Sequence, residues 1–305
     1  MNIDIESHRS PGVSALPVET DHYSGNDLQP FDGEITSYIV ASSPRSGSTL
    51  FCEALTRTGR LGMPLEYFRM RHSVANGRSW GARSLAEYCQ EMVKRRSTPN
   101  GVFGMKLHYD QLTFLRARGV LVDPTAWVSI ERSDRVAQAV SFARAQQTRA
   151  WTSYSSGDAQ SEYNFTHIAG AARMIKEQTV GWEKYFARLE ISPLRFRYEE
   201  VANDVQASAK RVMDLLLVTD DEPTVIFSPP HERQGDLING EWIARYREEC
   251  ERRGADPEKP EPTPPPQEGV NRTPDAEVFF DPATKKTMKR ITKPDGTVEV
   301  VPFKR

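Results

Sequence analysis

The chain contains few of the features that would tie it to a disulfide framework, a metal or a membrane. Its three cysteines, Cys52, Cys89 and Cys250, are far apart and form no CxxC pair, which favours reduced thiols. No cluster of His, Cys or carboxylate residues has metal-ligand spacing, so we expect no metal. No apolar run approaches the roughly 18 residues that a membrane-spanning helix needs, so we expect no membrane span.

The chain also has little net charge and no apolar leader. Its 40 Lys and Arg residues nearly balance its 42 Asp and Glu residues, and the net charge of −2 gives no reason to expect a nucleic-acid partner. The first thirty residues contain no apolar region typical of a secretory signal. Together with the reduced cysteines, this predicts a cytoplasmic protein.

The apolar segments that are present alternate between strand-like and helix-like patterns. Such alternation predicts an α/β fold with a central parallel sheet flanked by helices. Asp110 is the expected cap of one helix, and Ser133 or Asp134 of the next. The predicted strands are 37–41, 102–107, 126–130 and 194–198, and the predicted helices are 49–55, 110–117, a long helix after 134, 160–188 and 203–217.

The two ends of the chain differ in composition from the middle. Residues 1–34 are polar and predict a mobile N-terminal arm, whereas 35–254 form the main domain. Six of the ten residues from Pro257 to Pro266 are proline, which predicts an extended linker over 255–275. In the extension at 276–305, Pro294-Asp295-Gly296 between β-prone runs indicates a small β-hairpin, whose partner the sequence does not identify.

The segment after the first predicted strand has the chemistry of an anion site. It leads from a strand into a helix, where unpaired backbone N–H groups and the helix dipole favour a phosphate. Gly47 lets the backbone approach the anion, Arg45 adds a fixed positive charge, and Ser46, Ser48 and Thr49 add hydroxyl donors. The sequence therefore predicts a P-loop-like phosphate site here.

The same segment departs from the nucleotide-triphosphatase P-loop, GxxxxGK[ST]. Gly47 and Thr49 fit that pattern, but Ser48 stands in place of the lysine and Ser42 in place of the first glycine. A P-loop kinase or NTPase stays open as an alternative, although the missing lysine disfavours it.

At this point the chain resembles the sulfotransferases, and within them the bacterial trehalose 2-sulfotransferase family. The resemblance covers roughly residues 36–250, and it depends on the order and spacing of several separate motifs. These motifs are Ser43-Pro44-Arg45-Ser46-Gly47-Ser48-Thr49-Leu50, Gly62-Met63-Pro64-Leu65-Glu66-Tyr67-Phe68, Asn100 to Leu107, Arg132-Ser133-Asp134 through Phe142, Gln147 to Trp151, and Glu232-Arg233-Gln234 before Glu241-Trp242.

The resemblance implies transfer of a sulfuryl group from 3′-phosphoadenosine 5′-phosphosulfate (PAPS) to a hydroxyl, with a carbohydrate or glycolipid as the expected acceptor. It implies that Arg45 to Thr49 bind the donor, with Arg45 stabilising the leaving phosphate. Arg132 and Ser141, nine residues apart, are expected to grip the 3′-phosphate, because a guanidinium and a hydroxyl suit a dianion. Arg233 and Gln234 are expected near the 3′-phosphate and adenine.

The resemblance assigns the role of general base to Glu66. We expect its apolar neighbours to raise the pKa of its carboxyl toward the useful range. His108 is the main rival as base, and Lys106 either reaches the pocket or extends to solvent. Three aromatic residues could form a sugar platform, with core packing as the alternative for each: Trp151, Tyr163 and Trp182.

The sequence departs from the resembled family at one informative position. Met63 stands where trehalose-using members carry a Glu, and a thioether is a poor partner for sugar hydroxyls, so trehalose itself is in doubt. Members of the family can dimerise, which gives a homodimer as an expectation. A third alternative is a catalytically silent scaffold that binds nucleotide or sugar and acts through its C-terminal tail.

Overall fold

The larger sheet of the molecule is fully parallel. The computed structural model describes residues 27–148, 161–219 and 237–257, and three strands after them. Among these residues the first sheet has the strand order β2-β1-β3-β4, with every neighbouring pair parallel. The predicted α/β fold is thereby confirmed. The strands are β1 (Thr36–Ser42), β2 (Val102–His108), β3 (Ala126–Glu131) and β4 (Leu194–Arg197).

Helices cover both faces of this sheet. None of those in the described ranges is long and apolar enough to cross a membrane. The helices are α1 (Ser48–Arg57), α2 (Met70–Ser79), α3 (Leu85–Arg96), α4 (Tyr109–Ala117), α5 (Arg135–Thr148), α6 (Phe165–Arg188), α7 (Tyr198–Asn203), α8 (Val205–Leu215) and α9 (Leu237–Arg252).

Alternate residues of β1 point into two separate apolar cores. Val40 packs with Phe51 of α1 and with residues of α7 and α8, whereas Ile39 lies in the opposite core with Trp182 of α6 and residues of α3 and α4. Because both faces of the strand are buried, β1 is a continuous apolar run, as parallel strands usually are. Each such side chain contributes about 1.5–3 kcal/mol on burial, and the two cores together fix the carboxyl end of β1.

Several boundaries differ from those predicted. Helices α2 and α3 were not predicted. Apolar residues are sparse in α2, but α3 has them at helical spacing (Leu85, Tyr88, Cys89, Met92 and Val93), so its signal was present in the sequence and was missed. The N-cap of α4 is His108, so the prediction that Asp110 caps it was wrong; Asp110 lies within the helix and accepts a hydrogen bond from Gln178. Asp134 caps α5 through the backbone N–H of Ala137 at 2.9 Å.

The chain forms a second, smaller sheet near its C-terminus. Its strands β5 (Asp275–Asp281), β6 (Lys286–Thr292) and β7 (Val298–Pro302) are antiparallel in the order β5-β6-β7. Strands β6 and β7 are the two arms of the predicted hairpin, and β5 adds a third strand that was not predicted. Most of the predicted proline-rich linker, residues 258–274, lies outside the described residues.

The end of the predicted N-terminal arm lies along α3. The backbone N–H groups of Leu28 and Phe31 donate to the carbonyls of Arg95 and Lys94, each at 2.9 Å. Residues 1–26 lie outside the described residues. The arm as a unit of residues 1–34 stays a prediction, but its last eight residues contact the main domain.

Candidate functional site

The predicted site residues meet at the carboxyl edge of the parallel sheet. The phosphate-loop segment follows β1, His108 ends β2, and Arg132 follows β3. In the sheet, β2 lies on one side of β1 and β3 lies on the other, so the order of the strands reverses at β1. Ligands of open α/β sheets bind in the crevice at such a reversal.

The loop after β1 is tightly turned at two residues. Arg45 and Gly47 have φ values of 61° and 84°, in the left-handed region. Gly47 is the N-cap of α1, and a Cβ on it would lie 2.2 Å from Cδ2 of Tyr198. Only glycine is tolerated there, because both the backbone angle and the contact with the ring exclude a side chain.

Helix α5 fixes this loop from one side. The buried amide of Gln138 donates to Oγ of Ser43 at 2.9 Å and to the carbonyl of Pro44 at 2.7 Å. Nε of Arg45 donates to Oγ of Ser141 at 2.9 Å. The indole of Trp182, in α6, donates to the carbonyl of Ser42 at 2.9 Å.

The predicted phosphate-binding arginines are neighbours. Burial, and then the positive charge of Arg132, lower the pKa of Arg45. Cζ of Arg132 lies 5.2 Å from the centre of the Tyr198 ring, and Arg132 also lines a cleft of about 380 Å³ at the ends of β3 and β4. Two guanidiniums in one partly buried crevice repel each other, and an anion bound between them would relieve that repulsion.

Two buried donors of the site have no hydrogen-bond partner in the described part of the chain. They are Oγ of Ser46, in a residue with no exposed surface, and Nε of Arg132. Buried polar groups are nearly always paired, and an unpaired one needs an explanation. A ligand rich in acceptor oxygens, such as a phosphate, fits donors of this kind, and Arg132 lines the cleft described above.

Glu66 lies on the β2 side of the loop among cations and donors. Its Oε2 is 3.5 Å from Nζ of Lys106 and 3.7 Å from Nε2 of His108. Its Oε1 is 3.5 Å from Nε of Arg69 and accepts a hydrogen bond of 3.0 Å from Gln111. The carboxylate is 7% exposed, so these groups take the place of water around it.

The pKa of Glu66 is lowered, contrary to the sequence expectation. Burial by itself raises it, but the charges of His108, Lys106 and Arg69, with the hydrogen bond from Gln111, outweigh burial and lower the pKa to about 2. The expectation failed because it considered only the apolar neighbours in sequence. The carboxyl is therefore ionised throughout the neutral pH range.

Lys106 joins the loop to the carboxylate. Its ammonium donates to Oγ1 of Thr49 at 3.4 Å and lies in ion-pair distance of Glu66, and the residue is only 7% exposed. Of the two predicted alternatives, the side chain reaches the pocket and does not extend to solvent. Thr49 is itself exposed, so the pair lies at the mouth of the site.

His108 contacts both the loop and Glu66. Nδ1 lies 3.2 Å from Oγ and 3.3 Å from the carbonyl oxygen of Ser42, and Nε2 faces the Glu66 carboxylate. Burial lowers the pKa of His108, and the Glu66 charge offsets part of this effect. The carboxylate of Glu66 and the imidazole of His108 therefore influence each other's protonation.

Two of the three residues predicted for an aromatic platform, Trp182 and Tyr163, have their contacts elsewhere in the described structure. Trp182 is 4% exposed and packs against Trp127 and Phe186 in the core. The hydroxyl of Tyr163 donates to Glu249 of α9 at 3.0 Å. Three further predicted site residues lie outside the described residues: Trp151, Arg233 and Gln234.

Three residues of the site were missed in the sequence. Gln138 contacts the loop across 95 positions of sequence, so no local pattern could have paired them. Tyr198 was assigned to a strand, but it begins α7 and packs on Gly47 and Arg132. Gln111 was detectable: it stands three residues after the N-cap His108, as in a capping box, and accepts from its N–H at 2.9 Å.

Across the described ranges, no group of three or more His, Cys, Asp or Glu residues could bind a metal ion.

Comparisons with known proteins agree with this geometry. A family model described as Stf0 sulphotransferase matches residues 37–249. A trehalose 2-sulfotransferase of Mycolicibacterium smegmatis is 30% identical over 262 residues, which cover 72% of this chain and 97% of the relative. A trehalose 2-sulfotransferase of Mycobacterium tuberculosis is 29% identical over 263 residues, with the same coverage of each chain.

Proposed function

The chain belongs to the Stf0 sulphotransferase family, and from that premise we propose that it transfers a sulfuryl group from PAPS to a hydroxyl of a carbohydrate. One observation carries the proposal. Two neighbouring arginines, Arg45 and Arg132, lie at the carboxyl end of the sheet, and a lysine links the buried carboxylate of Glu66 to the loop that contains Arg45. An anionic donor needs cations to bind it, and the attacking hydroxyl needs a base to accept its proton.

Donor binding is assigned to the loop and the β3 side of the site. Ser46, Gly47, Ser48 and Thr49 stand at the start of α1, where backbone N–H groups and the dipole favour a phosphate. Arg132 and Ser141 are assigned to the 3′-phosphate. The unpaired donors of Ser46 and Arg132 support this assignment, because a phosphate would satisfy them. Arg233 and Gln234 stay part of the proposal from the sequence alone.

Proton transfer is assigned to Glu66. PAPS supplies the sulfuryl group and a phosphate leaving group, and transfer requires the attacking hydroxyl to lose its proton. The carboxylate is ionised at neutral pH, as a base must be, but with a pKa of about 2 it is a weak base, so the proposal requires its pKa to rise when the substrates bind. Contact of Lys106 with a bound anion would weaken its pairing with Glu66, which would make the carboxylate more basic. Arg45 is assigned to the charge that develops on the leaving phosphate.

We propose only the chemical class of the acceptor, a carbohydrate, and not a particular sugar. Both curated relatives bear the name of a sulfotransferase that acts on the sugar trehalose, which supports a carbohydrate. Met63 is 2% exposed, and its Sδ lies 3.8 Å from Nη1 of Arg96. A buried thioether offers nothing to a sugar hydroxyl, so the proposal does not extend to trehalose.

Calorimetric titration of the purified full chain with adenosine 3′,5′-bisphosphate tests the donor. We expect saturable binding, with ATP and Mg²⁺ as the comparison ligand. Transfer of radiolabelled sulfate from PAPS to a panel of mono- and disaccharides then tests the reaction. Tighter binding of ATP and Mg²⁺ would favour the kinase alternative, and bisphosphate binding without transfer to any acceptor would favour the silent scaffold.

A further inference from the structure

We propose that Asp27 is a positioning residue for the segment that carries Glu66. The inference rests on the proposed function, because it concerns the carboxylate assigned as the base. Asp27 precedes residue 37, where the match to the family model begins. Asp27 therefore lies outside the residues that the family model matches.

Asp27 is the carboxylate partner of a fully buried arginine. Arg96, the last residue of α3, has no exposed surface, and its Nη2 lies 3.1 Å from Oδ1 of Asp27. The other carboxylate oxygen of Asp27 accepts a hydrogen bond of 2.9 Å from the indole of Trp80. A buried guanidinium needs a counter-charge, and Asp27 supplies one at ion-pair distance, so Asp27 contributes to the position of Arg96.

Arg96 in turn contacts the segment on both sides of Glu66. Its carbonyl accepts from the backbone N–H of Met63 at 3.3 Å, and its Nη1 lies 3.8 Å from the Met63 sulfur. Its Cζ lies 5.9 Å from the centre of the Tyr67 ring. The hydroxyl of Tyr67 donates to the carbonyl of Met63 at 2.5 Å, so a hydrogen bond joins the residues on the two sides of Glu66.

The segment is also tied to the sheet next to Glu66. The backbone N–H of Lys106 donates to the carbonyl of Leu65 at 2.9 Å, so the residue before Glu66 is fixed to β2. Glu66 thus projects from a segment that has β2 on one side and Arg96 on the other. A shift of Arg96 would move the segment and change the distances from Glu66 to its partners.

The chain offers a matched control in the same stretch. Asp32 pairs with Lys94 of α3 at 2.8 Å, but its side chain is 70% exposed, against 15% for Asp27. Loss of an exposed pair has little effect on structure. Asp27→Asn and Asp32→Asn therefore remove one charge each from the same eight residues, and only the first is expected to disturb Glu66.

The experiment compares the full chain with Asp27→Asn, Asp27→Glu and Asp32→Asn, at a temperature where circular dichroism shows all four to be folded. For Asp27→Asn we expect kcat to fall by about 10- to 100-fold, as small misplacements of catalytic groups do, with the affinity for adenosine 3′,5′-bisphosphate unchanged. Asp27→Glu should recover part of kcat, and Asp32→Asn should match the wild type. Hydrogen exchange of peptides covering 62–68 should accelerate only in Asp27→Asn.

The outcomes separate this inference from the proposed function. Unchanged exchange over 62–68 in Asp27→Asn would overturn the positioning role, whatever the activity. Loss of bisphosphate affinity in step with kcat would also overturn it, because that indicates general loosening. If the wild type transfers no sulfate but exchange still accelerates over 62–68 in Asp27→Asn alone, the positioning role stands and the proposed reaction fails.

Discussion

Lys106 and Glu66 form a buried ion pair, 3.5 Å between Nζ and Oε2, and the same ammonium donates to Thr49 in the phosphate loop. One cation is therefore shared between the carboxylate and the loop where we propose that the donor binds. Neutralising the carboxylate leaves Lys106 to interact with the loop alone. The consequences for catalysis, stability and ligand binding can be measured separately.

Glu66→Gln should separate catalysis from binding. The amide has nearly the same shape but cannot accept the proton, and general-base catalysis contributes about 10²- to 10⁴-fold. We expect kcat to fall by that factor, with the bisphosphate affinity within about threefold of the wild type. His108→Asn is the companion variant. If it lost activity while Glu66→Gln retained it, the base would be His108.

The low pKa of Glu66 also predicts how stability depends on pH. Its folded pKa, about 2, lies below the ordinary value of 4.5, so the folded state binds fewer protons. The stabilisation is complete well above pH 4.5 and is lost as the pH falls toward 2. Between pH 6 and pH 4 the wild type should lose roughly 1 kcal/mol relative to Glu66→Gln. Urea unfolding of both proteins measures this, and parallel curves would contradict the assigned pKa.

Arg132→Ala should weaken binding of the bisphosphate by about 10- to 100-fold, because a charge-assisted hydrogen bond contributes about 1.5–3 kcal/mol. Arg195→Ala is the control. Arg195 lines the same cleft, but its guanidinium is paired with Glu183 at 2.7 and 3.0 Å. Equal losses in the two variants would indicate a general field of positive charge and not a specific contact.

Gly47→Ala should destabilise the protein and abolish bisphosphate binding. The added Cβ would meet the Tyr198 ring at a backbone angle that costs an L-residue about 1–2 kcal/mol. Gly170→Ala in α6 is the control, since a Cβ there meets nothing within 4 Å and alanine favours a helix by about 1 kcal/mol. Thermal melting should therefore shift in opposite directions. Normal binding by Gly47→Ala would remove the loop from the site.

The sequence predicted those parts of the molecule that depend on local pattern. The apolar run from Tyr38 to Ala41 gave β1, and the small polar residues after it gave the loop between strand and helix. The parallel sheet followed from the alternation of such units. By contrast, α2 carries few apolar residues, and its position depends on contacts that a linear pattern does not contain. Helix α3 has apolar residues at helical spacing, so it could have been predicted.

Properties that depend on distant residues could not be predicted. Glu66 is surrounded by groups from β2 and α4, some 40 residues away, and their charges reversed the pKa expected from its sequence neighbours. The aromatic rings illustrate the same limit. Trp182 and Tyr163 had suitable chemistry for a sugar platform, but packing directs the first into the core and the second toward α9.

Strand β1 lies between two groups of site residues that come from different stretches of the sequence. Residues 62–111 contain Glu66, Lys106, His108 and Gln111, whereas 132–198 contain Arg132, Gln138, Ser141 and Tyr198. Each stretch is contiguous in sequence, so either one can be exchanged as a single segment for the corresponding segment of a homologous protein. A chimera that received only 62–111 from a relative would combine foreign residues around Glu66 with its own Arg132 and Ser141. If residues 62–111 contact the acceptor, as our proposal implies, the acceptor preference of the chimera should follow that of the relative.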